Sequence, residues 1–302
     1  MVAPRVLISN IMMLKEKDRF DREICDLGYE PVWADVKQFM DEAQCLQDVG
    51  EIDGWLAGDD QITRSVLDAA LPRLKVIAKW GTGTDSIDKE AAEQLGIPVL
   101  NSPGAFADAV AECAIGMTLM LTRHLRTIDA DIRDGAWTKP QGVELKGSTL
   151  GMIGYGAIGR RIGELGHAFG MDVLFHDPFA EGSRDVDEIA AKADILCLAC
   201  ALTPENVGIV NAELLSKMKP TSLVVNVARG PLVVEQALIA ALKAGQIAGA
   251  GLDVFEVEPL PKTSPLLTMR NVVLSSHNAN NGLRAVESVH ANTLKNLASV
   301  LT

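Results

Sequence analysis

An α/β chain folded as two doubly wound parallel-sheet domains is the class this sequence predicts, and three observations predict it. Strand-like and helix-like segments alternate from end to end, the pattern of βαβ units and parallel sheets. Ten strand-like segments are too many for one compact sheet, and 302 residues suit two domains. A G-x-G-x-x-G run, GYGAIG at 154–159, falls between a strand-like and a helix-like stretch.

In chain order, VLIS (6–9) precedes a charged helical stretch (14–27), and GWLAG (54–58) precedes ITRSVLDAAL. LKVIAKW (74–80) precedes SIDKEAAEQLG, and IPVLN (97–101) precedes an apolar helix at 105–125. After a loop come TLGMIG (149–154), MDVLFHD (171–177), ADILCLA (193–199), SLVVNVA (222–228), AGAGLDV (248–254) and NVVLSS (271–276). Helical runs separate most of these strands. Residues 281–301 read as a final helix with Leu283, Val286, Val289, Leu294 and Leu297 as its apolar positions. The break between the two sheets is placed at the loop Asn101–Pro103.

Composition narrows the function. Hydrophobic residues make up 48% of the chain but aromatic ones only 4%, so the cores are built from Ala, Val, Leu and Ile. A formal charge of −12 argues against a nucleic-acid partner, because phosphate backbones require clustered Lys and Arg. The five cysteines are scattered through apolar stretches. Cys197 and Cys200 match C-x-x-C, but residues three apart on a strand face opposite ways, so reduced thiols in a cytoplasmic protein are the simplest account. VLISNIMML lacks a cleavage-like site and runs into Lys15-Glu16-Lys17, as a first strand and helix would. The 105–125 helix contains Asp108 and Glu112 and is not expected to span a membrane. No metal-ligand spacing such as H-E-x-x-H occurs, so no metal is expected.

GYGAIG has the context that dinucleotide binding requires. Gly154 permits a tight turn after TLGMI, Gly156 lets the backbone approach a pyrophosphate, and Gly159 lets helix and strand pack closely. Ala157 and Ile158 complete the loop as the helix opens and offers its free N–H groups. Asp177, eighteen residues beyond Gly159, can accept hydrogen bonds from the adenosine ribose and repel a 2′-phosphate, so NAD is expected over NADP. Arg184 leaves some tolerance of NADP open.

In an open parallel sheet, ligands bind beyond the carboxyl ends of the strands. The polar residues at those ends are Asp177, Thr203, Arg229, Asp253 and His277. Arg229 could hold a carboxylate in a bidentate pair, or be a surface arginine in a loop. His277 closes NVVLSS and is either a proton carrier or a polar residue that ends a strand. Glu258, near it, would orient the imidazole and raise its pKa, which suits a group that gives a proton to a carbonyl oxygen.

At this point the chain resembles the D-isomer-specific 2-hydroxyacid dehydrogenase family, phosphoglycerate dehydrogenase-like, over essentially its whole length. KWGTGTDSID (79–88), the 101–112 stretch ending in VAE, LGMIGYGAIGRRI, NVARGPLV, AGAGLDVFEVEPLP and the late histidine occur in the family's order. The resemblance implies two Rossmann/flavodoxin-like domains with a cleft between them: residues 1–102 with 282–302 as the substrate domain, and 103–281 as the NAD-binding domain. It implies that Arg229 binds the substrate carboxylate, that His277 is the general acid/base and that Glu258 is its partner. Asp253 would hold the nicotinamide carboxamide, with the Ala228 backbone nearby. Gly81, Thr82 and Gly83 would approach the substrate, beside Lys79 and Trp80. The 105–125 helix would contribute to a homodimer.

Two features depart from the pattern. Asn278-Ala279-Asn280 follow the histidine where many relatives carry small residues, often glycine. GWLAGDDQIT puts Asp59 and Asp60 where a phosphate would call for cations, leaving Lys79 as the local positive charge. Two carboxylates facing a phosphate dianion repel it, so 3-phosphoglycerate is a poor fit. Trp80 is either an apolar wall beside the substrate or a packing residue. The expected activity is NAD-dependent interconversion of a small 2-hydroxy acid and its 2-keto acid. Two alternatives are an NAD(H)-responsive binding protein of the corepressor kind, or oxidation of a simple anion such as formate or phosphite.

Overall fold

The computed structural model describes residues 3–301 and contains two all-parallel sheets. The chain divides into two units, one formed by residues up to Ala105 together with those from Leu283 onward, the other by Phe106–Gly282. The predicted class of two doubly wound α/β sheets is the one observed.

The first unit runs β1 (Arg5–Ile8), α1 (Ile11–Leu14), α2 (Lys17–Asp26), β2 (Glu30–Trp33), α3 (Glu42–Asp48), β3 (Gly54–Ala57), α4 (Arg64–Ala70), β4 (Val76–Lys79), α5 (Lys89–Gln94) and β5 (Val99–Leu100). Its strands lie in the order β2-β1-β3-β4-β5. The inner strands read as unbroken apolar runs because helices cover both faces, and Leu7, Trp55 and Ile77 are fully buried. Helix starts follow the local chemistry. Thr63 and Asp88 cap α4 and α5, and Asp41 with Gln44 forms a capping box on α3. Strand β2 was not among the ten segments expected. Its sequence is EPVW, and Pro31 lacks the N–H that an inner strand would need. The strand is tolerated because it lies at the sheet edge.

The second unit opens with α6 (Ala107–Thr122) and α7 (Leu125–Arg133). It continues through β6 (Thr149–Ile153), α8 (Ala157–Ala168), β7 (Asp172–His176), α9 (Val186–Lys192), β8 (Ile195–Leu198), α10 (Ala212–Lys217), β9 (Leu223–Asn226), α11 (Glu235–Lys243), β10 (Gly249–Leu252) and β11 (Val272–Leu274). The strand order is β11-β10-β9-β8-β6-β7. After β6 the chain crosses to β7 on one side and then returns to β8 on the other. The connections that leave β6 and β8 therefore run to opposite sides of the sheet, which makes a switch point, where such sheets bind ligands. The small residues of β10 admit α6: a Cβ added at Gly251 would stand 2.9 Å from that of Met117. Cys197 is buried within β8 and Cys200 lies beyond its end; both are free thiols pushed up by burial, to about 12 and about 11.

The chain then returns to the first unit as α12 (Leu283–Ala298), which packs on β3, β4 and β5. Gly54 makes room for it, since an added Cβ would meet Leu297 at 2.7 Å. Among the described residues no helix is long and apolar enough to cross a membrane.

Candidate active site

The glycine loop is shaped by backbone, not by side-chain caps. Gly154 adopts φ +92°, and a Cβ there would lie 2.5 Å from the Cys200 amide, so the loops after β6 and β8 pass almost in contact. Gly159 lies against the Gly154 carbonyl, with only 2.2 Å for an added Cβ. Gly156 is different, because an added Cβ would meet nothing within 4 Å. Gly156 is also the N-cap of α8, which no side chain caps. Open space beside uncapped N–H groups at Ala157 and Ile158 is what a pyrophosphate needs.

Asp177 closes this loop from β7. One carboxylate oxygen accepts the Tyr155 N–H at 2.7 Å and the other accepts the Phe179 N–H at 2.9 Å. The Tyr155 ring stacks on Phe175 at 4.0 Å, so the loop is fastened to β7 twice. Arg184 is engaged by Glu188 at 2.8 Å. Thr203, past β8, is exposed, and its N–H donates to Asn206 Oδ1 at 2.8 Å. The residues present fit a dinucleotide.

A second group of residues stands beyond β9, β10 and β11. His277 Nδ1 lies 2.8 Å from Glu258 Oε2, and Glu258 Oε1 accepts the Phe255 N–H at 3.0 Å. The carboxylate is therefore aimed by backbone on one side and aims the imidazole on the other. Because an ionised carboxylate only accepts, Nδ1 carries a proton and the ring's exchangeable position is Nε2.

His277 adopts φ +54°, a left-handed conformation costing about 1–2 kcal/mol for a residue with a side chain. Asp253 compensates this. Its carbonyl accepts the His277 N–H at 2.7 Å, and its two carboxylate oxygens accept the N–H groups of Asn278 at 2.8 Å and Ala279 at 3.0 Å. Three successive N–H groups thus close on one buried residue, two of them on its carboxylate, as in an anion-holding nest. Asp253 is expected to hold the nicotinamide carboxamide; its two carboxylate oxygens here hold the His277 turn.

Arg229 sits on a turn fixed by Asn226, whose Oδ1 accepts the Ala228 N–H at 3.0 Å and whose Nδ2 donates to the Arg229 carbonyl at 2.9 Å. Arg229 Nη1 donates to the Ala228 carbonyl at 2.8 Å. The next residue, Gly230, presses on the loop that carries Glu258: an added Cβ would lie 1.8 Å from the Phe255 oxygen. Glu256 adds a second tie, accepting the Glu235 N–H at 2.8 Å. Asn226, Gly230 and Glu256 fall inside NVARGPLV and AGAGLDVFEVEPLP, but what each of them holds is set by tertiary contact and is not read from the sequence.

In the first unit, Lys79 is buried and donates to Asp59 at 2.9 Å and to the Trp80 carbonyl at 2.9 Å. Asp60 does not face a ligand as expected. It is fully buried, accepts from Ser9 Oγ and from the N–H groups of Met40 and Gly58, and burial pushes its carboxyl up. Trp80 is buried, and its indole N–H donates to His290 Nδ1 at 3.0 Å. Beyond it Gly81 takes φ +113° and accepts the Ser102 N–H at 2.8 Å. Thr82 is bonded to Ser102 and Asn101, while Gly83 completes the turn.

Residues 115–279 match the family model for the D-isomer specific 2-hydroxyacid dehydrogenase NAD binding domain, more than half of the chain. The chain belongs to the D-isomer specific 2-hydroxyacid dehydrogenase family. It is 41% identical over 259 residues to a glyoxylate reductase of Thermofilum pendens, covering 80% of this chain and 76% of that one. It is 35% identical over 290 residues to a D-3-phosphoglycerate dehydrogenase of Synechocystis, covering 91% of this chain but only 52% of that longer protein. The structure of a D-lactate dehydrogenase from Aquifex aeolicus, complexed with NAD and lactic acid, superposes with a TM-score of 0.86 at 27% identity, covering 96% of this chain and 93% of that one. The second unit of this 2-hydroxyacid dehydrogenase is accordingly an NAD-binding domain, and NAD is its cofactor.

Proposed function

We propose that this protein reduces a small, unphosphorylated 2-keto acid, of which glyoxylate is the type, to the (R)-2-hydroxy acid with NADH. The observation that carries the reading is the His277–Glu258 pair beyond the carboxyl ends of β10 and β11, in the same unit as a glycine loop fit for NAD. Bound NADH supplies the hydride. Arg229 holds the substrate carboxylate, and His277 Nε2 gives its proton to the carbonyl oxygen as that oxygen becomes a hydroxyl. Glu258 keeps Nδ1 protonated and the ring oriented, so the proton leaves from the correct nitrogen.

The preference for an unphosphorylated acid rests on Lys79, whose ammonium is committed to Asp59 and a carbonyl. Ala228 and Asp253 border the nicotinamide in this reading, and Gly81–Gly83 belong to substrate recognition. A homodimer is supported by apolar side chains left exposed along α7 and the segment after it, at Leu125, Ile132, Trp137 and Val143. The five free cysteines suit the cytoplasm.

The test follows NADH absorbance with a panel of keto acids: glyoxylate, hydroxypyruvate, pyruvate, bulkier acids and phosphorylated hydroxypyruvate. Arg229→Ala raises KM for the keto acid, and His277→Ala lowers kcat by about 10²–10⁴-fold. Wild-type turnover in either variant removes the assigned role. Silence of the wild type across the panel favours an NAD(H)-responsive binding protein instead.

A further inference from the structure

His290 lies on α12 without any role in the chemistry above, yet it is among the most buried polar residues of the first unit, at 1% exposure. Its surroundings define its state. The indole N–H of Trp80 can only donate, so the Nδ1 that receives it at 3.0 Å must be unprotonated. The remaining proton is on Nε2, which is buried without a hydrogen-bond partner and lies 3.8 Å from Glu16 Oε1. Phe20 packs on the ring at 4.7 Å between centroids. A buried imidazole with one polar atom unsatisfied is costly, and what it secures in return is a single acceptor for Trp80.

Trp80 is held at its other polar atoms as well. Its N–H donates to the Ala57 carbonyl at 2.9 Å, and its carbonyl accepts from Lys79. The far end of the same turn is fastened to the same helix. Asn292 donates to Ser102 Oγ at 2.8 Å, and Asn296 donates to the Asn101 carbonyl at 3.0 Å. Asn101 and Ser102 in turn bond Thr82 and Gly81. Helix α12 therefore supplies anchors to both ends of the turn Trp80–Gly83, His290 from one side of the helix and Asn292 and Asn296 from another.

We propose that His290 is a positioning residue for substrate binding: by accepting the indole N–H of Trp80 it fixes the turn Trp80–Gly83 on which the keto acid is recognised. This rests on the reading that the turn meets the substrate. His290 touches neither substrate nor cofactor, and its effect falls on binding of the acid, not on hydride transfer or NADH affinity.

The experiment compares two substitutions of similar polarity. His290→Asn places an oxygen acceptor where Nδ1 was, whereas His290→Gln places its amide near the Nε2 position and removes the acceptor. The Gln variant raises KM for the keto acid by about fivefold, the factor that one neutral hydrogen bond is worth, with kcat and NADH affinity unchanged. The Asn variant restores KM. Trp80→Phe, which deletes the donor, gives the same rise, and combining it with His290→Gln adds nothing further. The indole N–H resonance of Trp80, assigned by its loss in Trp80→Phe, reads the bond without turnover. It stays in place in the Asn variant and moves in the Gln variant.

Equal KM values in the Asn and Gln variants of an active enzyme, or an indole resonance unmoved by Gln, overturn the proposal. If the wild type reduces no keto acid, the functional reading fails instead. The resonance then still shows whether His290 holds Trp80.

Discussion

Gly230→Ala tests the arrangement of the active site at its tightest point. A methyl group there would stand 1.8 Å from the Phe255 oxygen, 1.9 Å from its carbonyl carbon and 2.6 Å from the Glu256 nitrogen, where ordinary contact begins at 3.4 Å. All three atoms are backbone, so no flexible side chain can swing aside. The Arg229 turn and the Glu258 loop must part by roughly 1.5 Å, with an overpacking cost of about 2–3 kcal/mol. A displacement of that size at a substrate-holding group costs on the order of 10²-fold in rate. We expect kcat/KM for keto-acid reduction to fall by about that factor, while NADH still binds, because the glycine loop follows a different strand. Steady-state kinetics, NADH fluorescence titration and urea unfolding read the three quantities. A variant with kcat/KM within about twofold of wild type would refute the idea that the two segments are clasped in register.

Three further outcomes follow from individual residues. Asp253→Ala strands the N–H groups of Asn278 and Ala279, each worth about 1–3 kcal/mol if buried and unpaired, and releases His277 from its left-handed turn. Its kcat should drop more than tenfold, an order-of-magnitude expectation, with a smaller change in the NADH dissociation constant; the reverse pattern would mean that Asp253 serves chiefly to hold cofactor. Asp177→Ala removes the carboxylate that would repel a 2′-phosphate and also frees the Tyr155 N–H, so the NADH-to-NADPH preference should shrink by about tenfold in kcat/KM. Finally, burial lowers the His290 pKa, against opposing pulls from Glu16 and Glu287 and alongside a like-charge push from Arg19. The folded protein then binds fewer protons than the unfolded chain below about pH 6.5, so the His290 contribution is complete above that pH and is lost as pH falls towards the depressed folded value. The loss is at most about 1.4 kcal/mol per pH unit, and the difference between wild type and His290→Asn in chemical denaturation across that range measures it.

The sheets and the chemistry were legible for different reasons. Unbroken apolar runs such as ILCL and the LVV of β9 announce strands buried on both faces, and these were found within a residue or two. GYGAIG announced itself because strand, glycine spacing and helix coincide locally. Strand β2 escaped because Pro31 argues against a strand unless it is known to be an edge, and edges exist only after the sheet is assembled. Pairings between distant residues were hidden for the same reason. Lys79 and Asp59 are both charged residues near strand ends, but nothing in one dimension says that they neutralise each other. His290 and Trp80 are 210 residues apart. The role of Asp253 as the anion inside a nest depends on φ at His277, and sequence does not display a dihedral angle at a non-glycine residue.

The return of α12 has a consequence for biogenesis. The NAD-binding unit is one continuous stretch, so it can leave the ribosome with its whole core in hand. The other unit begins synthesis first yet waits longest: Tyr29 hydroxyl bonds Leu301 O, and Gly54 expects Leu297, and both partners are made only after the whole NAD-binding unit. Until then its sheet lacks the helix that covers β3 to β5, and the nascent chain carries an open apolar face.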